Sequence, residues 1–236
     1  MSPVLVPLVL CAVAAAFVLS ASAGWGGSLI LVPVLALLLG EKEGVALASL
    51  LLAGNNVVKV GAYRANLPFR QAAVVVVVTS LGALIGARLL VASPEELVAL
   101  AVVAAVVASF AAERSLASVT VRASGPPLAF AAGATSGFAG TPGPLKGVAL
   151  RSLGLDRIHL VGAASIVSLA GDATKSAVFD GAGLLGATSL ALCAAAAPVM
   201  IAATLAGRRI NRRLGETGYH YLFWTVMAGY CLRLAA

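Results

Sequence analysis

Residues 44–62 read GVALASLLLAGNNVVKVGA, and residues 160–178 read LVGAASIVSLAGDATKSAV. These two stretches decide the fold. Each is close to the roughly 20 largely apolar residues that a helix needs to cross the ~30 Å hydrocarbon core of a bilayer. Each also carries a lysine inside its apolar run, Lys59 in the first and Lys175 in the second. The two fall into register when the chain is slid against itself by 116 residues, with no gap. Val45 then meets Val161, Ala48-Ser49 meets Ala164-Ser165, and Lys59 meets Lys175. Asn56 falls on Asp172, so N-x-x-K corresponds to D-x-x-K.

The register extends towards the N-terminal side of both stretches. Gly24 meets Gly140, Gly27 meets Gly143, Leu29 meets Leu145, Val32 meets Val148, Leu37 meets Leu153 and Leu39 meets Leu155. Apolar coincidences carry little weight in a chain that is 61% hydrophobic; the glycines, the serine and above all the lysine carry more. Only 11% of the 236 residues are charged, against about 25% in an average soluble chain. That is too few to cover a water-soluble globule, and the mean hydropathy of +1.03 agrees. A soluble enzyme, a disordered chain and a disulfide-stapled secreted domain are excluded as leading readings.

The net charge of +7 does not point to nucleic acid. A nucleic-acid binder clusters its Lys and Arg on a solvated surface. Here they are scattered singly between apolar runs, except for Arg208, Arg209, Arg212 and Arg213. The expected partners are therefore the lipid bilayer and a small anionic solute, with no nucleic acid. Cys11, Cys193 and Cys231 each sit in an apolar stretch without a CxxC partner, and read as small buried hydrophobes.

The predicted fold class is all-α: a polytopic membrane protein of about ten helical segments, at 3–23, 28–40, 44–62, 72–92, 96–112, 117–139, 144–155, 158–179, 183–207 and 219–235. The first lacks a basic n-region and leads into more apolar segments, so it reads as a retained span rather than a signal peptide. Placing the loop with Arg64 and Arg70 in the cytoplasm puts Arg114, Arg122, Arg157 and the Arg208–Arg213 cluster there too. Glu41-Lys42-Glu43, Ser93-Pro94-Glu95-Glu96 and Asp180 then fall on the other side. This is the positive-inside pattern, and it leaves both termini extracytoplasmic. With five segments per repeat, an odd number, the second copy runs inverted through the membrane. One integral membrane domain is expected, built from repeats at 1–116 and 117–236. Inverted repeats recur in secondary transporters, which place substrate near the midplane at the repeat interface, beside broken helices.

Two breaks occupy matching positions: Gly24-Trp25-Gly26-Gly27, and Gly140-Thr141-Pro142-Gly143-Pro144. Glycine tolerates φ > 0 and proline lacks an N–H, so neither cluster continues a helix comfortably. Segments 28–40 and 144–155, which follow them, would rise only about 18–20 Å. A helix restarting after such a break turns free N–H groups towards it, which suits an anion. Two breaks facing each other make a cradle for an oxyanion; a kink that merely packs helices is the alternative. Gly82-x-x-x-Gly86 and Gly133-x-x-x-Gly137 read instead as close helix contacts.

The candidate substrate-binding residues are Gly24, Gly26, Gly27, Ser49, Asn55, Asn56, Lys59, Gly140, Thr141, Gly143, Ser165 and Lys175. A charge at membrane depth is costly and usually faces the bundle interior or a water cavity. Two lysines at matching positions fit a doubly charged anion. The structural alternatives are a local pair of Lys175 with Asp172 at i−3, and snorkelling of Lys59 to the interface. Asn55 and Asn56 could donate to a substrate oxygen or bridge helices. Asp172, the one carboxylate well inside a predicted span, is the candidate for proton coupling. His159 and His220 read as interfacial rather than as ligands. No metal site, cofactor or catalytic constellation is expected: HExxH, GxSxG and clustered Cys/His/Asp sets are absent from the sequence.

The pattern Gly24-x-Gly26-Gly27-x5-Pro33-x-Leu35, followed by Ala48-Ser49 and a polar patch, resembles the sulfite exporter TauE/SafE family of anion permeases. The second copy, Gly137-x-x-Gly140-x-x-Gly143 followed by Ala164-Ser165, is similar to that family's second half. Pro142 and Pro144 inside the second glycine cluster depart from the pattern. The resemblance implies a transporter of the inner membrane that exports sulfite or an organosulfonate by alternating access, and not an enzyme. An uncoupled anion or small-solute channel is the alternative. Proton coupling and a homo-oligomer stay open.

Overall fold

The computed structural model describes residues 5–23, 27–116, 125–142 and 145–210. Within them the chain forms α1 (Leu5–Ala23), α2 (Gly27–Leu39), α3 (Glu41–Ala62), α4 (Phe69–Ala92) and α5 (Glu95–Leu116). It continues as α6 (Gly125–Ala139), α7 (Leu145–Arg151), α8 (Arg157–Gly181) and α9 (Ala187–Ile210). A single 3-10 turn, Arg64–Asn66, joins α3 to α4, and no strand occurs among the described residues. Each expected segment from 3–23 to 183–207 has a helix; 219–235 lies outside the described residues. Three helical stretches among these are long and apolar enough to cross a membrane: α3, α4, and Ala187–Thr204 of α9. Val6–Val18 and α2 are shorter apolar helices.

The two segments after the glycine breaks are short in fact as well as in expectation. At 1.5 Å per residue, the 13 residues of α2 rise roughly 20 Å and the 7 of α7 roughly 10 Å. Neither reaches across a bilayer alone. α7 stops earlier than the expected 155 because Ser152 and Leu153 turn the chain, and Gly154 takes φ +64°.

Small residues set the tightest contacts. Gly40 takes φ +100° and its N–H bonds to the Ala36 carbonyl, 3.0 Å, ending α2. Glu41 and Glu43 follow at once in the first turn of α3, where negative charge suits the helix dipole. α3 then folds back so closely on α2 that a Cβ at Gly44 would fall on the Ala36 backbone. α4 and α6 form the longest seam, and the two small-residue motifs face one another in it. A Cβ at Gly82 would strike the Phe130 carbonyl and one at Gly86 the Ala134 carbonyl. From the other side, Gly133 abuts the Thr79 carbonyl and Gly137 the Ala83 carbonyl.

α4 shows both faces that a membrane helix needs. Ala72, Val75, Thr79, Gly82, Ala83, Gly86, Ala87 and Leu90 are buried at helical spacing. On the opposite face Val74, Val77, Leu81, Ile85 and Leu89 are 46–58% exposed. An aliphatic stripe of this length is what acyl chains solvate and water does not. Arg88 is exposed between Ile85 and Leu89, one turn before α4 ends. Cys11 is likewise exposed rather than buried, because it lies on the outer face of α1, while Cys193 is half-buried.

α3 packs on α8 and α9, α4 on α6 and α8, and α1 on α9 and α2. α8 starts at an exposed cap: Asp156 accepts a hydrogen bond from the His159 N–H, 2.9 Å, and pairs with His159 Nδ1, 2.8 Å. The backbone N–H of His159 first, and its ring second, hold the Asp156 carboxyl below the usual carboxylate range.

Two outcomes follow. Gly86→Ala should lower the melting temperature in detergent, by an overpacking cost of about 1–3 kcal/mol. Gly61→Ala, whose Cβ meets nothing within 4 Å, should leave it equal or higher, since alanine favours a helix by up to about 1 kcal/mol over glycine. Equal melting of the two variants would refute the backbone seam. The Asp156 cap is stabilising above the unfolded carboxyl pKa and is lost as pH falls through the lower folded value. The melting difference between wild type and Asp156→Ala should therefore be present at neutral pH and disappear in strong acid; a difference that persists there would refute the cap's charge dependence.

Candidate functional site

The polar residues of α3 and α8 recur at helical spacing, and so share one face of each helix. On α3 these are Ser49, Asn56 and Lys59; on α8 they are Ser165, Ser168, Asp172 and Lys175. Because α3 packs directly on α8, the two faces meet. Asn56 Nδ2 donates to Asp172 Oδ2 at 2.7 Å, between two positions 116 residues apart. Lys175 Nζ lies 2.9 Å from Asp172 Oδ1, one turn along α8. The same ammonium donates to Ser136 Oγ at 2.9 Å and to the Ser136 carbonyl at 3.4 Å, on α6. Lys175 is completely buried and Asp172 is 7% exposed. The local pair expected at i−3 is therefore present, and it is extended by Asn56 and Ser136 into a four-residue cluster that ties α3, α6 and α8.

Lys59 makes no hydrogen bond or ion pair among the described residues. It is half-buried near the end of α3 and interacts electrostatically with Asp172. A third lysine, Lys146 on α7, donates to Ser168 Oγ at 2.8 Å. It interacts electrostatically with Asp172, Lys59 and Lys175. Asp172 thus bonds to one ammonium, that of Lys175, with two others in its electrostatic reach.

Other expected site residues are engaged locally. Ser49 donates to the Val45 carbonyl, 2.8 Å, and Ser165 to the Val161 carbonyl, 2.9 Å. Both hydroxyl protons bond back to their own helix, a common alternative for serine inside a helix. Asn55 Oδ1 accepts from Thr204 Oγ1, 3.0 Å, which joins α3 to α9, so it bridges helices. At the breaks, Thr141 Oγ1 and Ser28 Oγ, in the first turn of α2, are 3.2 Å apart. Gly140 takes φ +75° and a Cβ there would press on Val32 of α2 at 2.8 Å. The second break therefore touches the start of α2, and Gly27 is buried. Gly24, Gly26 and Gly143 lie outside the described residues.

Four residues that bond within or beside these contacts were not singled out as site residues from sequence: Ser136 of the cluster, Lys146 and Ser168 next to it, and Thr204, which bonds to Asn55. Ser168 sits four residues before Asp172, on the same face. Lys146 is a third cation in an apolar stretch. Ser136 falls on Ser20 under the shift of 116. Thr204 has no such signal.

The family model for the sulfite exporter TauE/SafE matches residues 8–234, nearly the whole chain. The chain belongs to this family, which places it among membrane transporters of sulfite or related anions. No curated protein and no solved structure matches it.

Removing one partner of a buried ion pair leaves an uncompensated charge and costs about 3–5 kcal/mol, whereas removing both can be nearly neutral. Asp172→Asn and Lys175→Met should each lower the melting temperature strongly, and the double variant Asp172→Asn/Lys175→Met should regain part of the loss. Purely additive losses would show that the pair is not coupled.

Proposed function

We propose, with membership of the sulfite exporter TauE/SafE family as the premise, that this chain is a secondary transporter that exports sulfite or an organosulfonate across the inner membrane by alternating access. The observation that carries the reading is the cluster around Asp172: buried Lys175 pairs with it at 2.9 Å, and half-buried Lys59 and Lys146 lie within its electrostatic reach without bonding to it. Charged groups at membrane depth usually face a cavity or a solute. Two ammonium groups with no carboxylate bonded to them suit an anion.

Alternating access needs two halves that exchange roles, and an inverted repeat over 1–116 and 117–236 supplies them. The Asn56–Asp172 hydrogen bond supports that reading, since residues related by the shift of 116 can touch only near the axis relating the halves. The helix contacts support it too. Shifting α4 and α1 by one repeat gives α9 and α6, so the α4–α6 seam corresponds to the α1–α9 contact. Substrate in this reading sits beside Asp172, near the polar faces of α3 and α8 and the short α7. Both termini face the extracytoplasmic side. If Asp172 carries a coupled proton, its pair with Lys175 opens during the cycle.

Counterflow tests the mechanism. Proteoliposomes loaded with unlabelled sulfite should transiently accumulate external labelled sulfite above equilibrium, with saturable initial rates. Flux that does not saturate and shows no counterflow would indicate an open pore and overturn alternating access.

A further inference from the structure

Matching positions in the two halves single out Lys59 and Lys175 as partners around a substrate. The hydrogen bonds assign the roles differently. An ammonium has three N–H donors. Those of Lys175 have three acceptors: Asp172 Oδ1, Ser136 Oγ and the Ser136 carbonyl. Its charge is balanced by the carboxylate at 2.9 Å, and no part of the residue is exposed. Lys175 has nothing left to offer a ligand.

Lys146 and Lys59 are the reverse case. Lys146 places one N–H on Ser168 Oγ at 2.8 Å and has no carboxylate within salt-bridge distance among the described residues. Lys59 has no acceptor there at all. The other oxygen of Asp172 is taken by Asn56, 2.7 Å, so the carboxylate is bonded on both sides without either of them. The two cations nevertheless share one electrostatic neighbourhood, and mutual repulsion raises the cost of holding both charged in it.

We propose that Lys146, with Lys59, forms the charged seat of the transported anion, while Lys175 is a positioning residue that holds Asp172 and Ser136. This rests on the transport reading above and deepens it by naming the residues and the ligand's charge. A pair of open ammonium groups selects an oxyanion with two negative charges over a sulfonate with one. It also makes the seat unequal between the halves, because the position matching Lys146 is Ile30.

The test is anion binding to the purified full-length chain in detergent, by calorimetry and thermal shift at neutral pH, where thiosulfate is a dianion, sulfite is divided between its singly and doubly charged forms, and methanesulfonate carries one charge. The probes are sulfite, thiosulfate and methanesulfonate. The wild type should bind sulfite and thiosulfate more tightly than methanesulfonate. Losing a charged hydrogen bond at Lys146→Gln should weaken sulfite by about tenfold or more. Lys146→Ile, matching Ile30, is a second uncharged variant should the first not fold. Lys146→Arg should restore most of the affinity, and Asp156→Ala, at the exposed cap of α8 and outside the cluster, should leave it within about threefold of wild type. Wild-type affinity in Lys146→Gln or Lys146→Ile, with binding intact, would sink the assignment of Lys146 and leave the transport reading standing. Tightest binding of methanesulfonate would overturn the dianion preference alone. No stabilisation of the wild type by any of the three anions, together with absent counterflow, would overturn both.

Discussion

A carboxylate and an ammonium in an apolar interior hold each other in place, because either alone is far costlier than the two together. Asp172 and Lys175 are that pair, and the rest of the interior is arranged around it. Asn56 anchors the pair to α3 and Ser136 anchors it to α6. Together these bonds set the register of three helices against one another, which packing of Ala, Val and Leu alone would specify weakly. The register in turn leaves Lys59 and Lys146 within electrostatic reach of the same carboxylate. A structural pair and an unbalanced pair of cations are thus built from one cluster.

Much of this was legible in the chain because charged residues have few places to go in a membrane helix. The offset of 116 picked out Asn56 and Asp172 as matching polar positions, and of the two roles open to Asn56 the structure shows the helix bridge, to Asp172 itself. The glycine pairs at 82/86 and 133/137 predicted a close seam because small residues at that spacing admit a neighbouring backbone, and each pair meets the other helix. Helix positions followed from apolar runs and from glycine and proline breaks. Serine was harder to read. A hydroxyl inside a helix can bond back to its own turn, as Ser49 and Ser165 do, and spacing along one helix does not reveal that choice. Lys146 gives no sign in the sequence of belonging near Asp172, since only the turn at Gly140 and the short α7 carry it beside Ser168.

The contrast between N-x-x-K and D-x-x-K has a chemical meaning. One half supplies a cation with a built-in counter-ion, and the other supplies one without. A symmetric pair of aspartates would give Lys59 a counter-ion as well, and a symmetric pair of asparagines would leave Lys175 buried with no anion. The unequal arrangement keeps the fold balanced at Lys175 and, in the transport reading proposed above, leaves attraction for a solute elsewhere.

The glycine seam between α4 and α6 has a mechanical consequence. Where backbones touch with no side chains between them, there are no rotamers to switch and no interdigitated methyls to ratchet past one another. Sliding would drive Cα atoms into carbonyl oxygens. The two helices therefore travel as a single stiff plank. Bending is left to the joints outside it, such as the left-handed glycines at 40, 154 and 183, each beyond the end of a helix.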